Sequence, residues 1–217
     1  MKDVIVLGGG SAGTWVANRL RDRLPSDAWR IAVVETAEAH PYRPGFLFVP
    51  FGVYDRADVV RPGRRLLKDG IEWIRGEVAS VDPGPHRVAL RDGQELGYDR
   101  LVIATGSVLR PDLTPGLLGP EWGRSIHEFY TLDGAEALRG ALERFTGGRL
   151  VVHVAELPIT CPVAPLEFAF LADAHFRADG RRDEIEDQIA DVERRLVGFD
   201  QAVQKPALMR GVLVEDV

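Results

Sequence analysis

Six residues near the N-terminus have the types and spacing needed to hold a phosphate group. Gly8-Gly9-Gly10-Ser11-Ala12-Gly13 matches the pattern GxGxxG. In such a loop Gly8 permits the tight turn, Gly10 lets a pyrophosphate approach the backbone, and Gly13 lets the following helix pack on the preceding strand. The N–H groups of the first helical turn, from Ser11 to Gly13, then face the phosphates. The pattern predicts dinucleotide binding.

An acidic residue follows this loop at the distance expected for a ribose contact. Glu35 lies 22 residues after Gly13, at the end of the second apolar run RIAVVE. A carboxylate in that place accepts hydrogen bonds from a ribose 2′-hydroxyl and repels a 2′-phosphate. The pair of signals therefore favours FAD or NAD over NADP.

The third candidate group is the only cysteine of the chain. Cys161 stands in PITCPVAPLEFAF, just before a predicted helix start at Val163 or Ala164. The positive end of a helix favours thiolate over thiol, which would make Cys161 reactive. A lone cysteine is also commonly a small buried apolar residue, and the sequence leaves both interpretations open.

The elements that must position the glycine loop are predicted from hydrophobic periodicity. Residues 3–7 read as a buried strand, Ser11 to Leu24 as an amphipathic helix that Pro25 stops, and residues 30–35 as a second strand, which completes a βαβ unit. Residues 40–52 should form an ordered loop, with a helical turn after it. The segments 71–82 and 86–99 predict short antiparallel strands in a small side sheet. Residues 100–107 predict a strand ending in a small-residue turn.

The second half predicts a helix, a strand and another helix. TLDGAEALRGALERF reads as a helix capped by Thr131 or Asp133, GRLVVHVA as a buried strand, and residues 164–180 as a helix that ends at Gly180. Residues 181–196 predict a polar helix with one apolar stripe, a candidate homodimer contact within residues 185–196. The last twenty residues predict no element.

Composition excludes several classes of function. The net charge is −6, and basic residues are scattered among the acidic ones, which argues against nucleic acid as a partner. One cysteine allows no internal disulfide, and no apolar run approaches the roughly 20 residues of a membrane span. The N-terminus has no signal-peptide pattern, so we expect an unprocessed cytoplasmic protein. The histidines show no metal-ligand spacing, so no metal site is predicted.

The order of these motifs resembles the flavoproteins with two dinucleotide-binding domains. In that superfamily a turn such as Ala104-Thr105-Gly106 abuts the first nucleotide loop beneath FAD, and the resemblance covers residues 1 to about 180. It implies FAD as the cofactor and places the backbone of Val78 at the adenine ring. The fold class expected is α/β: a Rossmann-like FAD-binding βαβ domain with a small antiparallel side sheet, plus a partial second α/β module.

Within that superfamily the chain resembles the sulfide:quinone oxidoreductases. The second GxGxxG of the pyridine-nucleotide-dependent members is replaced by AELPITCPVAP, and YRPGFLFVPFG resembles the loop that these proteins place near the flavin ring. The resemblance implies that Cys161 is catalytic beside the flavin, with a small-molecule sulfur donor, quinone as acceptor, and contact with a membrane surface left open. Those enzymes use a cysteine pair, and the second cysteine is missing here.

The resemblance also predicts how the chain is divided. The expected domains are an FAD-binding domain at 1–130, a partial nucleotide-binding-like module carrying Cys161 at 131–180, and a divergent segment at 181–217. The family pattern ends near residue 180, so the chain is expected to be truncated or divergent beyond it. Two alternatives stay open: a catalytically silent dinucleotide-binding module that acts through a partner, and an NADH:quinone oxidoreductase-like flavoprotein.

Overall fold

A computed structural model describes residues 1–153, 160–185 and, for the backbone alone, 212–215. The chain divides into two compact units, one formed by residues 1–42 and 60–108 and the other by residues 43–59 with the described part of 109–217. The predicted domain boundaries at 130 and 180 stay a prediction. The α-helices within the described residues are α1 (Ser11–Arg23), α2 (Arg56–Val59), α3 (Leu132–Arg144) and α4 (Ala164–Ala178).

Twelve strands lie in the described ranges. They are β1 (Lys2–Leu7), β2 (Trp29–Glu35), β3 (Ala39–Pro41), β4 (Val60–Pro62), β5 (Ile71–Arg75), β6 (Val78–Asp82), β7 (Arg87–Leu90), β8 (Glu95–Gly97), β9 (Arg100–Ile103), β10 (Ile126–His127), β11 (Arg149–Val152) and β12 (Val212–Glu215). Short 3₁₀ turns occupy Arg43–Phe48, Gly63–Leu66 and Pro111–Leu113.

The first unit is built on a four-stranded parallel sheet in the order β5-β2-β1-β9. Alternate residues of β1 and β2 contribute to two separate apolar clusters. One cluster includes Ala17 of α1, and the other includes Val88 and Leu90 of β7. Because both faces of the sheet are buried, its inner strands are continuous apolar runs. The predicted βαβ unit and the Rossmann-like α/β fold class are confirmed.

The side sheet is smaller than the sequence predicts. It contains β6, β7 and β8 in antiparallel order, whereas Ile71–Arg75 pairs parallel with β2. Assigning Ile71–Arg75 to the antiparallel sheet was therefore wrong. The physical reason is that β5 is a short edge strand with two buried residues among five, and such a run can pair in either direction.

The second unit packs α3 and α4 around an aromatic core. Phe168 of α4 is fully buried, stacks on Phe129 at 5.1 Å between ring centroids, and lies 5.1 Å from Phe51. The Thr131 hydroxyl accepts a hydrogen bond from the Gly134 N–H at 3.0 Å, so Thr131 is the cap that begins α3.

The end of the chain differs from the sequence prediction. β12 pairs antiparallel with both β10 and β11, although no element was predicted in the last twenty residues. Residues 181–185 form a turn instead of the start of a helix. The predicted stripe from Ile189 onward, and with it the proposed homodimer contact, lies outside the described residues. Within the described ranges, no helix is long and apolar enough to cross a bilayer.

Candidate functional site

The glycine loop joins β1 to α1 and is pressed against the end of β9. Gly8 has φ +97°, and a Cβ on it would lie 2.3 Å from the Ala104 carbonyl oxygen and 3.0 Å from the Cα of Thr105. The Gly8 N–H donates to the Val34 carbonyl and the Ala104 N–H to the Leu7 carbonyl, each at 2.8 Å. The structure therefore brings together the loop and the turn after β9, two features predicted separately.

The other two glycines of the pattern have opposite surroundings. A Cβ on Gly13 would lie 1.8 Å from the Gly8 carbonyl oxygen, so α1 packs on the loop without room for a side chain. A Cβ on Gly10 would meet no described atom within 4 Å. Gly10 precedes the first turn of α1, where Ser11 and Ala12 are exposed. The loop is therefore closely packed at Gly13 and open at Gly10.

Glu35 is held as an anion at the end of β2. Its Oε2 accepts from the Gly9 N–H at 2.7 Å, and its Oε1 accepts from the Thr36 N–H at 2.7 Å, the Thr36 hydroxyl at 3.0 Å and the Ala37 N–H at 3.2 Å. Partial burial acts to raise the pKa of Glu35, but hydrogen bonds from the Ala37, Gly9 and Thr36 donors outweigh it, and the pKa is lowered. A fixed negative charge thus stands beside the glycine loop.

Three residues at this loop were missed by the sequence analysis. The Gly9 carbonyl accepts from the Thr14 hydroxyl and contacts His40 Nδ1, each at 2.9 Å. A Cβ on Gly9 would lie 2.6 Å from Cη2 of Trp73, and one on Gly63 would lie 2.7 Å from the same atom. The run of three glycines could have indicated a close neighbour at Gly9. No local pattern indicates His40 or Trp73, because both come from distant parts of the chain.

The remaining predicted cofactor contacts are Val78 in the side sheet and Thr105 and Gly106 in the turn after β9. Val78 begins β6, pairs with Leu90 and packs half-buried against the core cluster of the side sheet. Thr105 and Gly106 are exposed in the turn after β9, and Gly106 has φ +73°. Their contacts with a cofactor stay predictions.

Cys161 lies in the second unit and is half-buried as a free thiol. Its carbonyl accepts the Ala164 N–H at 3.2 Å as the chain turns into α4, so the helix begins at Ala164, one of the two predicted positions. Burial raises the pKa of Tyr130 to about 12, and the electrostatic influence of the neighbouring Cys161 and Glu128 adds to that effect. Cys161 thus stands at a helix start near a phenol, and its catalytic role stays a prediction.

Two histidines of the second unit, His127 and His175, lie against backbone and side-chain groups of the same unit. His127 is only 3% exposed, donates from Nε2 to the Arg124 carbonyl at 3.0 Å, and has its pKa lowered chiefly by burial. His175 Nε2 lies 3.5 Å from an Asp179 carboxylate oxygen, and its ring lies 5.7 Å from that of Phe51. Among the described residues no three His, Cys, Asp or Glu side chains cluster as metal ligands would.

Comparison with known proteins finds one family and several relatives. The profile of the family described as pyridine nucleotide-disulphide oxidoreductase matches residues 2–153. The mitochondrial sulfide:quinone oxidoreductase of Mus musculus is 30% identical over 180 residues, which are 83% of this chain and 40% of the mouse protein. An NADH dehydrogenase-like protein of Mycobacterium tuberculosis is 31% identical over 172 residues, 73% of this chain and 39% of its own length.

A solved structure shares the fold. The sulfide:quinone oxidoreductase of Aquifex aeolicus superposes with a TM-score of 0.72 and 25% sequence identity, covering 85% of this chain and 42% of the Aquifex chain. This chain therefore spans about two fifths of the length of the relatives that it matches.

Proposed function

Because the chain belongs to the pyridine nucleotide-disulphide oxidoreductase family, a family of FAD-binding flavoproteins, we propose that it is an FAD-dependent oxidoreductase of the sulfide:quinone type. The resemblance to sulfide:quinone oxidoreductases that the sequence indicates is confirmed by the mouse and Aquifex proteins. The observation that carries the proposal is the glycine loop with Glu35 beside it, in a chain that matches sulfide:quinone oxidoreductases over most of its length.

The loop fits the dinucleotide part of FAD in shape and charge. The space beside Gly10 admits a phosphate, and the N–H groups that begin α1 supply donors for it. Glu35, held ionised by four donors, would accept from the adenosine ribose. Ala104, Thr105, Gly106 and the backbone of Val78 complete the proposed contacts. A side chain at Gly8 or Gly13 would collide with backbone, so the cradle is specific for glycine.

The proposed substrates are a small sulfur donor and a quinone. Bound FAD would supply a two-electron acceptor that a sulfur compound can reduce and a quinone can reoxidise. From this chain, the Cys161 thiol is the proposed point of contact with the sulfur donor, because it is half-buried and stands at the start of α4. The carboxylate of Glu35 and the loop amides hold the cofactor and take no proton in this scheme.

An anaerobic titration tests this proposal. The purified chain is loaded with FAD, and sulfide is added without oxygen. The flavin absorbance near 450 nm is then recorded on the order of seconds, the time of a typical enzyme turnover. We expect bleaching by sulfide in the wild type and at least about tenfold slower bleaching in Cys161→Ser. The neighbouring exposed Thr160 provides the matched control Thr160→Ser, which should behave as wild type. Equal bleaching rates in Cys161→Ser would remove Cys161 from the reaction.

The NADH dehydrogenase-like relative supports a second candidate, an NADH:quinone oxidoreductase. The segment in which a nicotinamide loop would lie includes residues 154–159, outside the described residues. The same titration with NADH in place of sulfide separates the two candidates. Bleaching by NADH alone would favour the second. A stable flavin complex that neither donor bleaches would favour the catalytically silent module.

Glu35→Gln is expected to weaken FAD binding by about 1 to 3 kcal/mol, because the amide presents N–H groups to donors and removes a charged acceptor from the ribose. Isothermal titration of the apoprotein with FAD measures the change. The control is Glu38→Gln, since Glu38 is exposed and pairs with Arg75 at 2.6 Å on the surface. Glu38→Gln should leave the affinity within about twofold. Unchanged affinity in Glu35→Gln would contradict the ribose contact.

A further inference from the structure

We propose that His40 is a positioning residue for cofactor binding: its imidazole holds the Gly9–Gly10 peptide so that the Gly10 N–H faces the FAD pyrophosphate. This inference rests on the FAD-binding part of the proposed function and is independent of the electron donor. His40 does not touch the cofactor in this scheme. It acts through the backbone of the glycine loop.

The Gly9 residue is held by side chains on both of its peptide groups. Its N–H donates to Glu35 Oε2 at 2.7 Å, and its carbonyl accepts from the Thr14 hydroxyl at 2.9 Å. His40 Nδ1 lies 2.9 Å from the same carbonyl oxygen. A carbonyl oxygen can only accept, so Nδ1 carries the proton and His40 is the donor. Two donors satisfy both lone pairs of the Gly9 carbonyl.

The direction of the Gly10 N–H follows from the planarity of the peptide. In a trans peptide the C=O of Gly9 and the N–H of Gly10 lie in one plane and point in opposite directions. Because His40 and Thr14 bind the carbonyl, the Gly10 N–H points away from them. Apart from its chain neighbours, a Cβ on Gly10 would meet no described atom within 4 Å, so this residue is open on its Cα side, and in this proposal the phosphate approaches there. Rotation of this peptide would present a carbonyl oxygen to an anion instead.

His40 is itself held in place by the short β3–β4 pair. Its Cα pairs with that of Arg61 in the antiparallel register, and the Gly63 N–H donates to the Glu38 carbonyl at 2.8 Å. The side chain is half-buried. A half-buried imidazole that donates to a backbone carbonyl is not needed to fill the core, since the largest fully buried side chains described in this unit, Ile5, Leu7, Ile31 and Ile71, lie on sheet strands.

The test compares ligands with and without phosphate in two His40 variants. In His40→Asn the amide nitrogen stands close to the position of Nδ1 and can still donate, whereas His40→Leu removes the donor at similar size. Affinities for FAD, ADP and adenosine are measured by tryptophan fluorescence, because Trp73 packs against Gly9. We expect His40→Leu to weaken FAD and ADP by about 3- to 12-fold and adenosine by less than about 2-fold. His40→Asn should restore most of the FAD and ADP affinity.

The results of these binding measurements test the role of His40 separately from the proposed function. Equal losses for ADP and adenosine in His40→Leu, failure of His40→Asn to rescue, or unchanged ADP affinity in His40→Leu would each overturn it. If the wild type binds ADP but not FAD, the proposed function fails, and the ADP and adenosine comparison still decides the role of His40. Should His40→Leu not fold, as judged by a thermal melt, His40→Ala replaces it in the same comparison.

Discussion

Gly13→Ala is expected to destabilise the first unit by about 3 kcal/mol or more and to abolish FAD retention. The new Cβ would lie 1.8 Å from the Gly8 carbonyl oxygen, and contacts below 3.0 Å essentially never occur, so the loop and α1 must separate by about 1.2 Å. Both partners are backbone, and no side chain can rotate away. Separation would also displace the N–H groups that begin α1. Thermal denaturation should show a Tm lower by about 6 °C or more.

Gly97→Ala provides the matched control for this prediction. Gly97 ends β8 in the same unit, and a Cβ on it would meet no described atom within 4 Å. The Tm and the FAD affinity of this variant should stay at wild-type values, or the Tm should rise slightly because alanine restricts the unfolded chain more than glycine does. A Gly13→Ala chain as stable as Gly97→Ala would mean that α1 does not pack on the loop as described.

The parts of the site that could be predicted from the sequence are those fixed by local geometry. Gly8 and Gly13 are required by a turn with positive φ and by a helix packed on a strand, and both constraints act within six residues. Glu35 is found because a strand of regular length ends at a fixed place beside the loop. Such constraints fix the spacing of the glycines and of Glu35, and this spacing can be recognised without knowing the fold.

Contacts across long sequence separations could not be predicted in this way. The His40 imidazole reaches Gly9 from 31 residues away, and the Trp73 ring reaches it from 64 residues away. Each depends on how β3 and β5 are placed around the loop, which no periodicity encodes. For the same reason the direction of β5 was misjudged, because five residues of an edge strand carry no pattern that distinguishes parallel from antiparallel pairing.

In the second unit the helices could be predicted from the sequence, but the last strand could not. The helices α3 and α4 are predicted because their apolar residues recur with the helical period and because Thr131 and Gly180 mark their ends. β12 is missed because four residues, VLVE, carry too little pattern for a strand, and its partners β10 and β11 are 60 to 87 residues earlier in the chain.

Gly10→Ala is expected to leave the free protein unchanged while weakening FAD binding by about 10- to 100-fold. In the free chain the new methyl group meets no described atom within 4 Å, and the backbone at Gly10, with φ −68° and ψ −173°, is one that alanine adopts without strain. The methyl group would instead occupy the space through which the pyrophosphate approaches. A hydrogen bond to a charged group, worth about 1.5 to 3 kcal/mol, is then lost.

A thermal-shift experiment separates this effect from that of Gly13→Ala. With FAD at about 100 times the wild-type Kd, the wild type gains about 2.7 kcal/mol of stability from binding. A 100-fold weaker Gly10→Ala variant would gain about 0.4 kcal/mol under the same conditions, although its Tm without FAD equals that of the wild type. Gly13→Ala should instead lower the Tm without any ligand. A full FAD-induced shift in Gly10→Ala would mean that the pyrophosphate does not pass beside Gly10, and the cradle assigned to this loop would be wrong.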